Sequence, residues 1–564
     1  MSGIRRGLLL LGTFLQAVAT AAQEPSDFCA TFPGRGEYEL AIHRFQLNRL
    51  SSLGLAPSRR ASVVQTGNVA VIEADAELLL PANPFDLAEA AVVFEPRGTQ
   101  SYFASPIDSG LEPASGRALS LDTYGAESVD LPFPFPFYGG SRTQIFVNAN
   151  GSLTFNYGDR SWQTGGARFL ASLPRIAVFF SRLDPAAGGK VFVDAQPDRL
   201  LVTWSEVPER DEDRRNTFQA VLEPSGRILM RFGRVETPSG LTGLAFPGAV
   251  SGVTVLDLET GGEGSGALFE EFRRERLVDR AATLKRFYRS YPDLYDYAIL
   301  WTNFDSDMGG SLAFETTVRN GVRGIGQTIY NSAGSWGSRG QLQSVVMMGN
   351  LANYPDDPHQ TFARSDWTTL ALVAHEVGHR WLAFISVMNG DVESDALLGY
   401  SQVHWSFFQD SDASVMYGNK IAEESIGRFR TRETWARFSK LDLYLMGLAP
   451  AAEVAPFLLV EDASGQDGRG RALTAESFPE REVVIRGRRR DVLLDDVIRA
   501  EGPRDPSFEQ SQKTFRQAWI LLHAPGAPPS AEQIGKLEAV RAGFETYIQD
   551  LTLGRAFMAT TLER

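Results

Sequence analysis

The stretch LALVAHEVGHRWLAF, residues 370–384, sets two histidines and a carboxylate into an apolar run. Such runs bury, and buried imidazole and carboxylate need partners. On a helix of about 3.6 residues per turn, His375 and His379 stand on one face a turn apart, suited to grip one ion. Glu376 is offset around the helix, where it reaches a water without itself binding metal. This H-E-x-x-H spacing is the one expected for Zn2+ with Glu376 as general base. The chain has six histidines, so chance yields on the order of 0.004 such patterns, and coincidence is set aside.

A hydrolytic zinc site keeps three protein ligands and one open position. The compact form H-E-x-x-H-x-x-G-x-x-H is excluded, because Leu382 and Ile385 occupy the last two places. His404, in YSQVHWSFFQDSD, is the preferred third ligand, since three of the six histidines then fall within one short region. Glu393 in NGDVESDALLG is the main alternative, and Asp395, Asp412 and Glu423 remain open. His43, His359 and His523 stand alone and receive no role.

Downstream, DSDASVMYGN places Met416 and Tyr417 in a turn, and FSKLDLYLMGLAP reads as a helix carrying Asp442 and Tyr444. Asp442 could orient a ligand imidazole, although solvated charge is the simpler reading. Two loops cluster carboxylates: Asp305 and Asp307, then Asp391, Glu393 and Asp395. A calcium site is one reading of them, and solvated loop acids the better one.

At 564 residues the chain exceeds one hydrophobic core, so several domains are expected. Its N-terminus has Arg5 and Arg6, an apolar stretch from Gly7 to Val18, and Ala19-Thr20-Ala21. That is the pattern of a secretory signal peptide over residues 1–22, with an apolar segment shorter than the ~20 residues that span a bilayer. The expected location is secreted or periplasmic, and no later segment reads as transmembrane. Net charge is −14, which gives no reason to expect nucleic acid as a partner.

The single cysteine, Cys29, excludes an intramolecular disulfide despite export, which leans toward a bacterial protein. Cys29 reads as a small buried hydrophobe. Residues 23–97 carry no nameable chemistry and could be an inhibitory pro-segment. In a sharper version, Cys29 fills the open zinc position until it is removed.

Residues 98–260 alternate as strands. VDLPFPFPFYGG is too proline-rich for a central strand. TQIFVNANGSLTF gives two runs joined through Asn150-Gly151, a hairpin signal that also explains the Asn150-Gly151-Ser152 sequon. LLVTWSEVP and NTFQAVLEPSGRILMRFG continue the pattern, with a turn at Pro224-Ser225-Gly226. From residue 270 onward the texture is α/β: strands at YDYAILWT and LQSVVMMGNL, then helices at FEQSQKTFRQAWILLHA and PPSAEQIGKLEAVRAGFETYIQDL. The last begins with a Ser530/Gln533 capping box.

Two resemblances follow from these residues. FPFPFYGGSRTQIFVNANGSLTF through NTFQAVLEPSGRILMRFG resembles the extracellular nidogen-like β module. That implies an adhesive or positioning role toward an extracellular target. HEVGH, His404 and the methionine turn resemble exported bacterial zinc peptidases of the zincin kind. This implies one zinc, a protein or peptide substrate and catalytic Glu376. Met416 would pack beneath the ligands, and Tyr417 or Tyr444 would stabilise the oxyanion. The long interval before His404 departs from the metzincin pattern. The expected architecture is multidomain α+β: a β-sandwich module, then a zincin-like α/β metallopeptidase domain over 270–564 with a helical C-terminal part. The other reading is an adhesion protein whose zinc site is structural.

Overall fold

The computed structural model describes residues 27–29, 31, 36–55, 63–160, 164–171, 173–246, 252–363 and 365–563. The leader read in residues 1–22 lies outside them. Among the described residues, thirty-three strands stand against seven α-helices.

Two large sheets face each other over residues 91–272, with seven and eight strands. The proline-rich segment Ala126–Phe137 is an edge strand, as its missing N–H donors require. Its prolines at 132, 134 and 136 face solvent, while Leu131, Phe133, Phe135 and Phe137 point inward. Gly151 turns the chain at φ 78° between Gly140–Asn148 and Ser152–Thr154. Trp204 stacks on Phe218 with ring centroids 5.1 Å apart, in a core shared by both sheets.

A third large sheet runs in the order Asp27–Cys29, Ser311–Thr317, Ser344–Asn350, Tyr297–Thr302, Thr514–His523, Val69–Glu73, Val64–Thr66. Its centre is parallel: Tyr297–Thr302 pairs in parallel with both Ser344–Asn350 and Thr514–His523. Ser311–Thr317 is antiparallel to its inner neighbour, and Asp27–Cys29 covers its outer side in parallel. The helices Thr369–Gly378 and Ala531–Leu551 pack together on this sheet. The chain leaves toward the sandwich through Leu79–Leu80 and returns through Leu277–Val278, two strands paired with each other. The sandwich is thus inserted into the third sheet's unit, and Val69–Glu73 sits inside that unit's core.

The expected α+β architecture with a zincin-like domain and a helical C-terminal part is not what forms. The protein is mostly β, in several sheets, with few helices. The segment TFRQAWILLH, expected as helix, is the ten-residue strand Thr514–His523. A strand buried on both faces shows a continuous apolar run, and periodicity cannot separate that from a buried helix. EEFRRERLVDRAATLKRF closes the strand Ala267–Phe272 and then forms the helix Arg280–Phe287. Of the predicted C-terminal helices only Ala531–Leu551 forms, opened by the Ser530/Gln533 capping box. A further four-stranded antiparallel sheet spans residues 419–492.

Candidate metal centre

Thr368 caps the helix Thr369–Gly378 by accepting the Ala371 N–H at 3.1 Å, and the helix ends with His379 as its C-cap. His375 and His379 remain one turn apart, with Nε2 atoms 3.1 Å from each other. His404 arrives from the segment after a short 3-10 turn and sets its Nε2 3.3 Å from that of His375. Cys29, on the strand Asp27–Cys29, brings its sulfur to 3.4 Å from His379 Nε2. The four ligand atoms all lie within 4.8 Å of one another, and all four residues are fully buried.

The tautomers follow from the outer nitrogens. His375 Nδ1 donates to the Val415 carbonyl at 2.6 Å, and His404 Nδ1 donates to the Tyr400 carbonyl at 2.7 Å. A carbonyl only accepts, so both Nδ1 atoms carry hydrogen and both Nε2 lone pairs face inward. Burial holds the His375 imidazole neutral, down to about 3, and pushes His379 and His404 well below their ordinary value. Converging lone pairs at these distances repel unless a cation sits among them. Zinc bonds of ~2.0–2.1 Å to nitrogen and ~2.3 Å to sulfur give tetrahedral edges of about 3.3–3.6 Å. The observed edges of 3.1, 3.3 and 3.4 Å suit that ion. His379 Nδ1 has no hydrogen-bond partner among the described residues.

The turn at 414–417 supports the ligands from beneath. Val415 supplies the carbonyl for His375, and the Met416 carbonyl accepts the Trp405 N–H at 3.0 Å. A Cβ on Gly378 would lie 2.8 Å from the Met416 sulfur, so glycine is what lets the turn approach the helix. The Tyr417 ring lies flat on His404, centroids 4.1 Å apart, and 4.9 Å from His375. Asp442 is buried rather than solvated, and touches no imidazole. It accepts the Trp405 Nε1–H at 2.8 Å and the Ser439 N–H at 2.7 Å, fixing the residue next to His404. Burial raises its carboxyl to about 6 against these donors.

Glu376 does not enter the ligand group. Its Oε2 accepts the Thr31 hydroxyl at 3.1 Å and lies 3.6 Å from the Cys29 sulfur. The carboxylate therefore adjoins the position that Cys29 takes.

Sequence reasoning thus placed His375, His379, His404 and Glu376 together, with Met416 and Tyr417 against them. Cys29, read first as a small buried hydrophobe and only in the sharper version as filling the open zinc position, brings the fourth donor atom to the cluster, although no local spacing marks it. Tyr444 is not brought in: its hydroxyl accepts the Arg504 N–H at 3.2 Å. Glu393 sits exposed in the hairpin of Val387–Asn389 and Val392–Ser394, Asp412 accepts from Lys420 and Arg437, and Glu423 accepts from Arg489. Neither acidic loop assembles three converging carboxylates among the described residues; Asp305 accepts from Asn350 instead. His43 bonds Asp279 at 2.7 Å and serves the fold.

No helix among the described residues is long and apolar enough to cross a membrane. No curated protein and no solved structure matches the chain. A family model described as NIDO related matches residues 99–260, so the inserted sandwich is a nidogen-like module.

Proposed function

We propose that the chain is an exported zinc-dependent hydrolase of peptide bonds, with Glu376 as general base and the nidogen-like module holding it beside an extracellular target. His375, His379 and His404 would hold the metal. When bound, zinc supplies Lewis acidity toward a carbonyl and toward water. Glu376 Oε2 takes a proton from the attacking water and returns it to the departing amine. Val415 and Tyr400 orient two imidazoles through their Nδ1–H groups, and Tyr417 braces His404 by stacking.

The observation that carries this reading is the place of Glu376. It adjoins the position that Cys29 takes beside the three imidazoles. The Cys29 thiol can donate to this carboxylate at 3.6 Å, whereas a thiolate holding a metal would be repelled by it, so a closed structural site gains nothing from an acid at that place.

One observation favours a second reading. Four protein donors make a closed set, which is the structural pattern, and the chain would then be a binding protein with an inert site. Glu376→Gln decides, measured in the Cys29→Ser background that removes the fourth donor. The expected result is full zinc content with casein hydrolysis reduced by about 10²–10⁴. Hydrolysis at the background rate after this substitution would sink the assignment of Glu376. Stoichiometric zinc with no hydrolysis in any form would favour the binding protein.

A further inference from the structure

The first described segment of the chain does more than supply a ligand. Asp27–Cys29 pairs in parallel with Ser311–Thr317, in the register Asp27 with Ser311 and Cys29 with Ala313. Without that segment, Ser311–Thr317 becomes the edge of its sheet. An uncovered edge is a template for an extended polypeptide. Cys29 closes the ligand set, and Thr31 closes the base. The Thr31 hydroxyl accepts the Glu315 N–H at 2.7 Å and donates to Glu376 Oε2 at 3.1 Å. The Thr31 N–H also points to the Cys29 sulfur, at 3.3 Å. With the segment in place, Cys29, His375, Glu376, His379 and His404 are each 0% exposed, so no substrate reaches them.

We propose that the segment described by residues 27–29 and Thr31 is a built-in plug that keeps the hydrolytic site latent. The plug occupies three places together: the fourth ligand position through Cys29, the general base through Thr31, and the sheet edge through its backbone. Activation is its withdrawal as a unit, which frees all three. The proposal rests on the zinc hydrolase reading and specifies its regulation.

Cobalt(II) is the probe, loaded into the full chain in place of zinc. The parent is expected to show a thiolate-to-cobalt charge-transfer band in the near ultraviolet. Cys29→Ser should keep stoichiometric cobalt and lose the band. Acetohydroxamate should alter the visible spectrum of the variant and leave the parent unchanged. A second form carries a specific protease site in place of residues 32–35 and is cut after folding. Cutting and dialysis should abolish the band and admit acetohydroxamate, which covers the case in which Cys29→Ser misfolds. The plug is overturned if the parent lacks the band, if Cys29→Ser folds but loses cobalt, if the cut chain keeps the band, or if the parent binds acetohydroxamate as well as the opened forms do. An opened chain that binds acetohydroxamate yet leaves casein intact upholds the plug and sinks the peptidase reading, so the two failures are distinguishable.

Discussion

Replacing Thr31 by valine removes one hydroxyl and nearly preserves the shape of the side chain. Two hydrogen bonds go with it, one from the Glu315 N–H and one to Glu376 Oε2. The neutral bond contributes about 1 kcal/mol and the bond to a carboxylate about 1.5–3 kcal/mol. With the segment docked, both abandoned groups stay buried, whereas water satisfies them once it has left. Docking should therefore weaken by about 3 kcal/mol, which at about 1.4 kcal/mol per factor of ten is a roughly hundredfold larger undocked population. Cys29 is the only cysteine and is 0% exposed when docked, so its alkylation reports undocking. At equal metal loading, and with opening fast relative to labelling, mass spectrometry should find Thr31→Val labelled about a hundredfold faster than the parent. Thr31→Ser keeps the hydroxyl and should label within a few-fold of the parental rate. Equal rates for valine and parent would refute the reasoning. Serine labelling as fast as valine would move the effect from the hydroxyl to the methyl group.

Other perturbations separate the remaining parts. His404→Ala should lower zinc affinity by at least about 100-fold, while Glu393→Ala leaves it unchanged; metal analysis after dialysis against a weak chelator reads both. Burial pushes the Glu315 carboxyl up to about 7, against the Ser344 and Thr317 hydroxyls and Arg380. A raised acid is favourable when protonated, so its contribution is present at low pH and is lost as pH rises from about 4.5 to 7, by about 3 kcal/mol. Glu315→Gln should thus match the parent's melting temperature near pH 4 and exceed it above pH 7; a pH-independent difference would contradict this. Gly151→Ala puts a Cβ 2.0 Å from the Phe179 carbonyl oxygen at a φ of 78°. It should destabilise the sandwich by about 3 kcal/mol or more without changing zinc content, as read by calorimetry and metal analysis.

What the sequence carried depended on the distance over which a signal is local. His375 and His379 share a helical turn, and the rarity of histidine pointed to His404. The sandwich was legible because alternating burial writes itself into each strand, and the prolines of Ala126–Phe137 marked that strand as an edge. Thr514–His523 was misread because a strand between two parallel neighbours is apolar on both faces. Cys29 lies 347 positions from Glu376, and a three-residue edge strand has no pattern of its own. Only the three-dimensional pairing of Asp27–Cys29 with Ser311–Thr317 brings it to the histidines. Asp442 was misjudged as solvated for a related reason. Its partners Trp405 and Ser414 lie well upstream of the helix it caps.

The same pairing bounds how much of the N-terminal region can leave. A pro-segment over residues 23–97 would carry away Val69–Glu73, which pairs along Thr514–His523 inside the sheet; its loss would dismantle the core that seats the site helix. The helix Glu37–Ser52 is also committed. His43 bonds Asp279, and Glu39 accepts from Arg280 at 2.8 Å and from Thr316 of the strand Ser311–Thr317 at 3.2 Å. By contrast, the contacts described for residues 27–29 and 31 run through a sheet edge, the Cys29 sulfur and the Thr31 hydroxyl. The boundary between what can depart and what must stay therefore falls between Thr31 and Gly36. A cut there spares every interior strand while exposing the ligand position, the base and the sheet edge together, so limited proteolysis that activates the chain should leave a new N-terminus in that interval. An active form beginning beyond Glu37 would show that the anchored helix is also dispensable, and the plug would then be larger than its contacts imply.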